Sequence, residues 1–237
     1  MIASLPMYDR PANRDAHDLL WSLIRDALRD RGEAAPDRLT RDVAYNVVWG
    51  RPDLVLGHVC ILPFRTTFHS RLTVIGASDY GLEGCARGYY RSVYVMRKDD
   101  ARAPSVDLRV AVNSADSHSG FRAVQDLGAV STPLFSGAHD ESLRAVADGH
   151  ADLAAIDQQT WTMQQRDMPE AARVRVVGHS RTAPGQTFVT AKGRDPEPLR
   201  AALTEAISAL PEPARAVLGL RGIVSLPSAE YAPEPGI

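Results

Sequence analysis

Ser117, His118, Ser119 and Gly120 stand where an apolar run, LRVAV, has ended at Val112 and a helical pattern, FRAVQDLGAV, begins at Phe121. At a helix start the first backbone N–H groups have no intrahelical partner, and the dipole favours negative charge. Serine hydroxyls add donors there, and a glycine lets a ligand approach the backbone. Ser117, Ser119 and the amides through Phe121 therefore suit an oxyanion: phosphate, phosphonate, sulfonate or carboxylate. The alternative is that Ser117 or Ser119 simply caps the helix. Three imidazoles, His58, His118 and His139, are available to donate, accept or move a proton.

Other chemistries lack their signatures. No G-x-S-x-G, H-E-x-x-H, G-x-x-x-x-G-K-[ST] or G-x-G-x-x-G occurs, so hydrolase, zincin, P-loop and dinucleotide-binding motifs are missing. The seven histidines are scattered, and Asp116 with His118 is too little for a tetrahedral metal set. Neither a metal nor a cofactor is expected. A net charge of −2 without a basic stripe argues against a nucleic-acid partner. No run of 18 apolar residues suggests membrane insertion, and MIASLPMYDR lacks the basic and apolar regions of an export signal. Cys60 and Cys85 either pair as a disulfide or remain two buried thiols.

The elements that must position these residues alternate along the chain. IASLPMY reads as an opening strand leading into a loop at Asp9–Asn13, and NRDAHDLLWSLIRDALRDRG as a helix stopped at Gly32. Strands follow in DLVLGHVCILPF, RLTVIGASDYG and YYRSVYVMRKDD, then from Val106 to Val112. STPLFSGAHD reads as a loop, and Glu141–Asp148 as a helix closed by Gly149. A short strand spans Ala151–Ile156; VRVVGHSRT and FVTAKG are further strands. DPEPLRAALTEAISAL is a helix with Asp195 as N-cap and Pro196 at its first position. Strands alternating with helices indicate an α/β protein with parallel sheets, and 44% hydrophobic residues over 237 can fill two lobes. The expected lobes are residues 1–97 with 188–237, and residues 98–187. They would be joined by two hinge strands near Val95–Lys98 and Gly185–Val189.

ASLPMYD, LGHVCILPF, GYYRSVYVMR, NSADSHSG and SGAHDESLRAVADGHADLAAID, in that order, resemble the phosphate/phosphite/phosphonate-type substrate-binding proteins of ABC transporters. The most specific parts are the S-x-S-G segment and the series Gly137, His139, Ser142, Val146, Gly149, Ala151, Asp152, Ala155, Asp157. The resemblance implies a two-lobed type 2 periplasmic-binding-protein-like fold, each lobe a mostly parallel sheet flanked by helices, with a ligand cleft between lobes. It implies a non-catalytic protein that closes on a small oxyanion or zwitterion and works with a transporter permease. It also implies a periplasmic location, whereas the missing export signal would leave a complete chain in the cytoplasm. Competing readings are a small-acid-processing enzyme on the same fold, dehydratase or thiamine-precursor-like, and a ligand sensor acting through a partner protein.

By matched positions, Tyr8 would line the cleft, with Asp9 beside it. Ser117, His118, Ser119 and Gly120 would hold the oxyanion, and His139 and Asp157 would face it. His58 stands where relatives often carry glutamine. Each has a structural alternative: core aromatic for Tyr8, helix cap for Asp9 and Asp157, core histidine for His58, surface loop for His139. Arg65 reads as a solvated loop charge. A carboxylate at Asp157 opposes a bare oxyanion unless it accepts a proton or an ammonium. An aminoalkyl phosphonate therefore fits the charge inventory, with Tyr8 or Trp161 packing on its ammonium or alkyl part.

Overall fold

A computed structural model describes residues 1–129 and 132–234. The elements run β1 (Ile2–Ser4), α1 (Arg14–Asp30), α2 (Tyr45–Trp49), β2 (Leu54–Val59), α3 (Ile61–Pro63), β3 (Leu72–Asp79), β4 (Tyr89–Tyr90), β5 (Ser92–Arg97) and β6 (Val110–Val112). They continue with β7 (Leu134–Phe135), α4 (His139–Ala147), β8 (Leu153–Asp157), α5 (Gln158–Asp167), β9 (Val174–His179), β10 (Ala183–Pro184), β11 (Thr187–Ala191), α6 (Glu197–Ala209), α7 (Glu212–Leu218) and β12 (Gly222–Val224). The chain packs as two units, Met1–Tyr89 with the chain from Pro184 onward, and Tyr90–Ala183. These boundaries precede the expected ones at 97/98 and 187/188. The segments read from the sequence as hinge strands overlap β5 and β11, which are interior strands of their sheets.

In the first unit the sheet order is β1-β2-β11-β3-β12. β1 and β2 are parallel, whereas β11 runs antiparallel to both of its neighbours and β12 antiparallel to β3. All six residues of β2 are buried, as expected of a strand covered on both faces. α1 presents His17, Leu20, Trp21, Ile24, Ala27 and Leu28 at helical spacing to the core. It packs there with Leu199, Ala202, Leu203 and Ala206 of α6. Asp195 accepts from the Glu197 amide at 3.0 Å, so α6 starts one residue later than read. Arg65 is not a solvated charge: its guanidinium donates to the Glu230 carbonyl and lies 3.8 Å from a carboxylate oxygen of Glu234.

The second unit's sheet has the order β7-β6-β8-β5-β9. β6 is parallel to β7 and β8, while β5 is antiparallel to β8 and β9. Both sheets are thus mixed, not mostly parallel. The helical crossovers that force parallel pairing serve only part of each sheet. β5 and β11 follow directly from the short strands β4 and β10, with no helix between, and insert antiparallel.

Two helix starts also differ from the sequence reading. The helix expected from Phe121 begins at His118, and α4 begins at His139 rather than Glu141. Gly137, at φ +90°, turns the chain, and Ala138 is extended before the first turn. His118 and His139 are consequently both first residues of helical segments.

Candidate functional site

In the second unit the loop after β6 brings Ser117 to an extended backbone (φ −87°, ψ 123°), where its Oγ accepts from the Gly120 amide at 3.0 Å. Ser117 therefore does cap the turn. Its hydroxyl also lies 3.4 Å from Ser119 Oγ, which is 2.8 Å from His139 Nε2. Both serines are buried. The Ser119 carbonyl accepts from Ser92 Oγ at 2.8 Å, so the first residue of β5 pins the turn from behind. His118 turns to Tyr90, with Nδ1 3.0 Å from the phenol oxygen.

Gly120 is required by contact. A Cβ there would meet Asn113 Oδ1 at 1.9 Å and the Asn113 amide nitrogen at 3.3 Å. That Oδ1 is buried and has no hydrogen-bond partner among the described residues. Asp157 ends β8 almost fully buried, and its Oδ1 accepts from the Thr160 amide at 2.9 Å. The capping alternative is thus the observed contact, because β8 runs straight into α5. Trp161 belongs to the apolar cluster with Val95, Met168 and Val174.

In the first unit Tyr8 follows β1 and is buried. Its ring meets Tyr80 edge-on at 4.9 Å and His58 at 6.0 Å. His58 stacks on Phe188 with centroids 4.4 Å apart and an interplanar angle of 9°. Burial holds its pKa down to about 3, against a hydrogen bond to the Gln186 backbone carbonyl that raises it. The His58 ring is therefore neutral at physiological pH, and its Nε2 is buried without a hydrogen-bond partner among the described residues. Asp9 is not the cap of α1, since Asn13 occupies that position. Instead Arg41 donates to it at 2.6 Å, and His17 Nδ1 lies 4.0 Å away. Burial lowers the His17 pKa in spite of Asp9.

The structure thus gathers Ser117, Ser119, Gly120 and His139, places His118 on Tyr90, and keeps Tyr8, Asp9 and His58 in the other unit. Sequence reading passed over Tyr80, Tyr90, Ser92, Asn113 and Phe188. Tyr80 and Asn113 directly follow strands β3 and β6, which was a usable signal. Ser92 and Phe188 lie within strands and had none, because their roles depend on sheet order. Among the described residues, no group of three or more His, Cys, Asp or Glu is set to hold a metal. Nor, among those residues, is any helix long and apolar enough to cross a membrane.

Two mixed α/β sheets, each with one long-range antiparallel insertion, define the class of the periplasmic binding proteins. Residues 70–231 match the family model of the ABC-transporter phosphonate periplasmic substrate-binding proteins, and the chain belongs to that family. Solved structures share the fold. XAC2383 of Xanthomonas citri, bound to chloride ion, aligns with TM-score 0.71 at 14% identity over 97% of this chain and 92% of its own. PhnD1 of Prochlorococcus marinus, in complex with methylphosphonate, aligns with TM-score 0.67 at 18% identity over 97% and 94%. A binding-protein component of an ABC phosphonate transporter from Pseudomonas aeruginosa aligns with TM-score 0.65 at 13% identity over 98% and 82%. No curated protein sequence matches the chain. The Ser119–His139 pair has the spacing of a nucleophile and its base, but the family's members are substrate-binding proteins.

Proposed function

We propose that this chain is the periplasmic receptor of a transporter for a small phosphonate, and that the turn at Ser117–Gly120 together with His139 holds the phosphonate oxygens. The observation that carries the reading is the Ser119–His139 contact at 2.8 Å. It joins the starts of two helical segments, so hydroxyl, imidazole and first-turn backbone converge in one place. An oxyanion there replaces hydrogen bonds between side chains with charge-assisted ones, which are about twice as strong. Methylphosphonate, the ligand of PhnD1, is the first candidate. An aminoalkyl phosphonate is the second, its ammonium answering the Asp157 carboxylate. Tyr8, Asp9 and His58 are the first unit's candidates for ligand contact, and a transporter permease is the partner. The receptor would act outside the inner membrane.

Thermal unfolding against methylphosphonate, 2-aminoethylphosphonate, phosphite, phosphate, sulfate and acetate tests the proposal. A ligand at about 100 times its Kd stabilises the native state by about 2.7 kcal/mol. The expected result is a raised midpoint with a phosphonate, abolished by Ser119→Ala with the ligand recovered unchanged. Stabilisation by none of the oxyanions would refute it.

A further inference from the structure

The second sheet ends in β9, which has β5 on one side and, among the described residues, no strand on the other. Its pairing fixes which backbone groups are open. Lys98 donates to the Arg173 carbonyl at 3.0 Å, and Met96 and Arg175 are the next pair in that register, so Arg173 and Arg175 turn their backbone groups inward. By the alternation of an antiparallel ladder, Val174 and Val176 turn theirs towards the open edge. Beside that edge runs a groove between β9 and the end of α5, lined by Trp161, Met168, Val174, Val176, Lys98 and Arg175. Val176 sits on the same face as Val95 and is nevertheless 37% exposed, an apolar side chain left uncovered in the groove.

The charges at the groove are one-sided. Arg166 is neutralised by Asp167. Lys98 is exposed and has no ion pair among the described residues. Arg175 spends one N–H on the Asp100 carbonyl and has no ion pair among the described residues. We propose that this groove docks an extended acidic segment of a partner protein, added to the sheet along β9. Backbone hydrogen bonds at the open edge would provide the pairing. Trp161, Met168 and Val176 would receive its apolar side chains, and Lys98 with Arg175 would select acidic ones. The same lysine at an edge can instead serve only to repel other strands, and the experiment separates the two roles.

The probe is a fluorescein-labelled peptide of alternating glutamate and valine, with an alternating lysine and valine peptide as control. Fluorescence anisotropy with the full chain should show binding of the acidic peptide alone, weakened by salt at about 0.5 M, where exposed charges are screened. Lys98→Glu with Arg175→Glu should reduce its affinity by about tenfold or more. Val176→Pro removes an outward N–H at a position where an edge strand tolerates proline. It should abolish binding while the unfolding midpoint stays near that of the parent. Amide hydrogen exchange at Val176 should slow when peptide is added. Equal binding of the basic peptide, indifference to both charge reversals, or an unprotected Val176 amide would overturn the proposal. So would absence of acidic-peptide binding together with self-association of the charge-reversed variant, which would reduce Lys98 to an edge guard.

Discussion

Replacing Gly120 by alanine is the most demanding check on the geometry of the Ser117–Gly120 turn. Gly120 is absent from the glycines at positive φ, so the backbone itself accepts a side chain. An unobstructed Gly→Ala change at such a position stabilises by about 0.4–1 kcal/mol through the unfolded state. The structure reverses that sign. The new Cβ would stand 1.9 Å from Asn113 Oδ1, well inside ordinary van der Waals contact, and relief requires the buried Asn113 side chain to rotate or the turn to move. Overpacking of this kind costs about 1–3 kcal/mol. Gly120→Ala should therefore lower stability in urea unfolding by about that amount, with methylphosphonate affinity falling if the turn moves. Asn113→Ala removes the obstructing oxygen, so in the double variant the second substitution should recover most of the loss. The cycle should show a coupling of about 1 kcal/mol or more. A Gly120→Ala variant more stable than the parent, or a double variant whose effects simply add, would refute the contact.

Ser117→Ala removes the acceptor for the Gly120 amide and should cost about 1 kcal/mol of stability, read by urea unfolding, with phosphonate binding weakened as well. Asp157→Asn preserves a capping oxygen, so it should change stability by a few tenths of a kcal/mol at most, against about 1 kcal/mol for Asp157→Ala. Titration calorimetry on the asparagine variant should show a selective loss for 2-aminoethylphosphonate relative to methylphosphonate; an unchanged ratio removes Asp157 from ligand recognition. His58 binds a proton near pH 3 when folded and near 6.5 when unfolded. The unfolded chain therefore takes up more protons as pH falls through that window, and stability drops. Between pH 7 and 5 the loss is about 2 kcal/mol, and urea unfolding of His58→Gln at both values should show a flatter dependence, with a remaining slope from His17.

Features written locally in the chain were legible from it. α1 was plain because its buried residues recur at helical spacing, and Ser117 and Asp157 could be recognised as caps because capping involves residues three apart. The S-x-S-G segment marked the capped turn for the same reason. Sheet direction was not legible: LVLGHV and SVYVMR are equally apolar runs, yet one pairs with a parallel neighbour and the other inserts antiparallel. Nothing in either run records which strand it will meet. Asn113 shows the same limit at the scale of one residue. It lies seven positions before Gly120 and reads as an ordinary loop residue after a strand, and only the fold of the turn places its oxygen where Gly120 must lack a side chain. The glycine was therefore visible as a place for a ligand to approach, while its structural cause was hidden. Both apply at once: the turn proposed to hold an oxyanion is shaped by a buried asparagine oxygen without a hydrogen-bond partner among the described residues, and displacing either should be felt in binding as well as in stability.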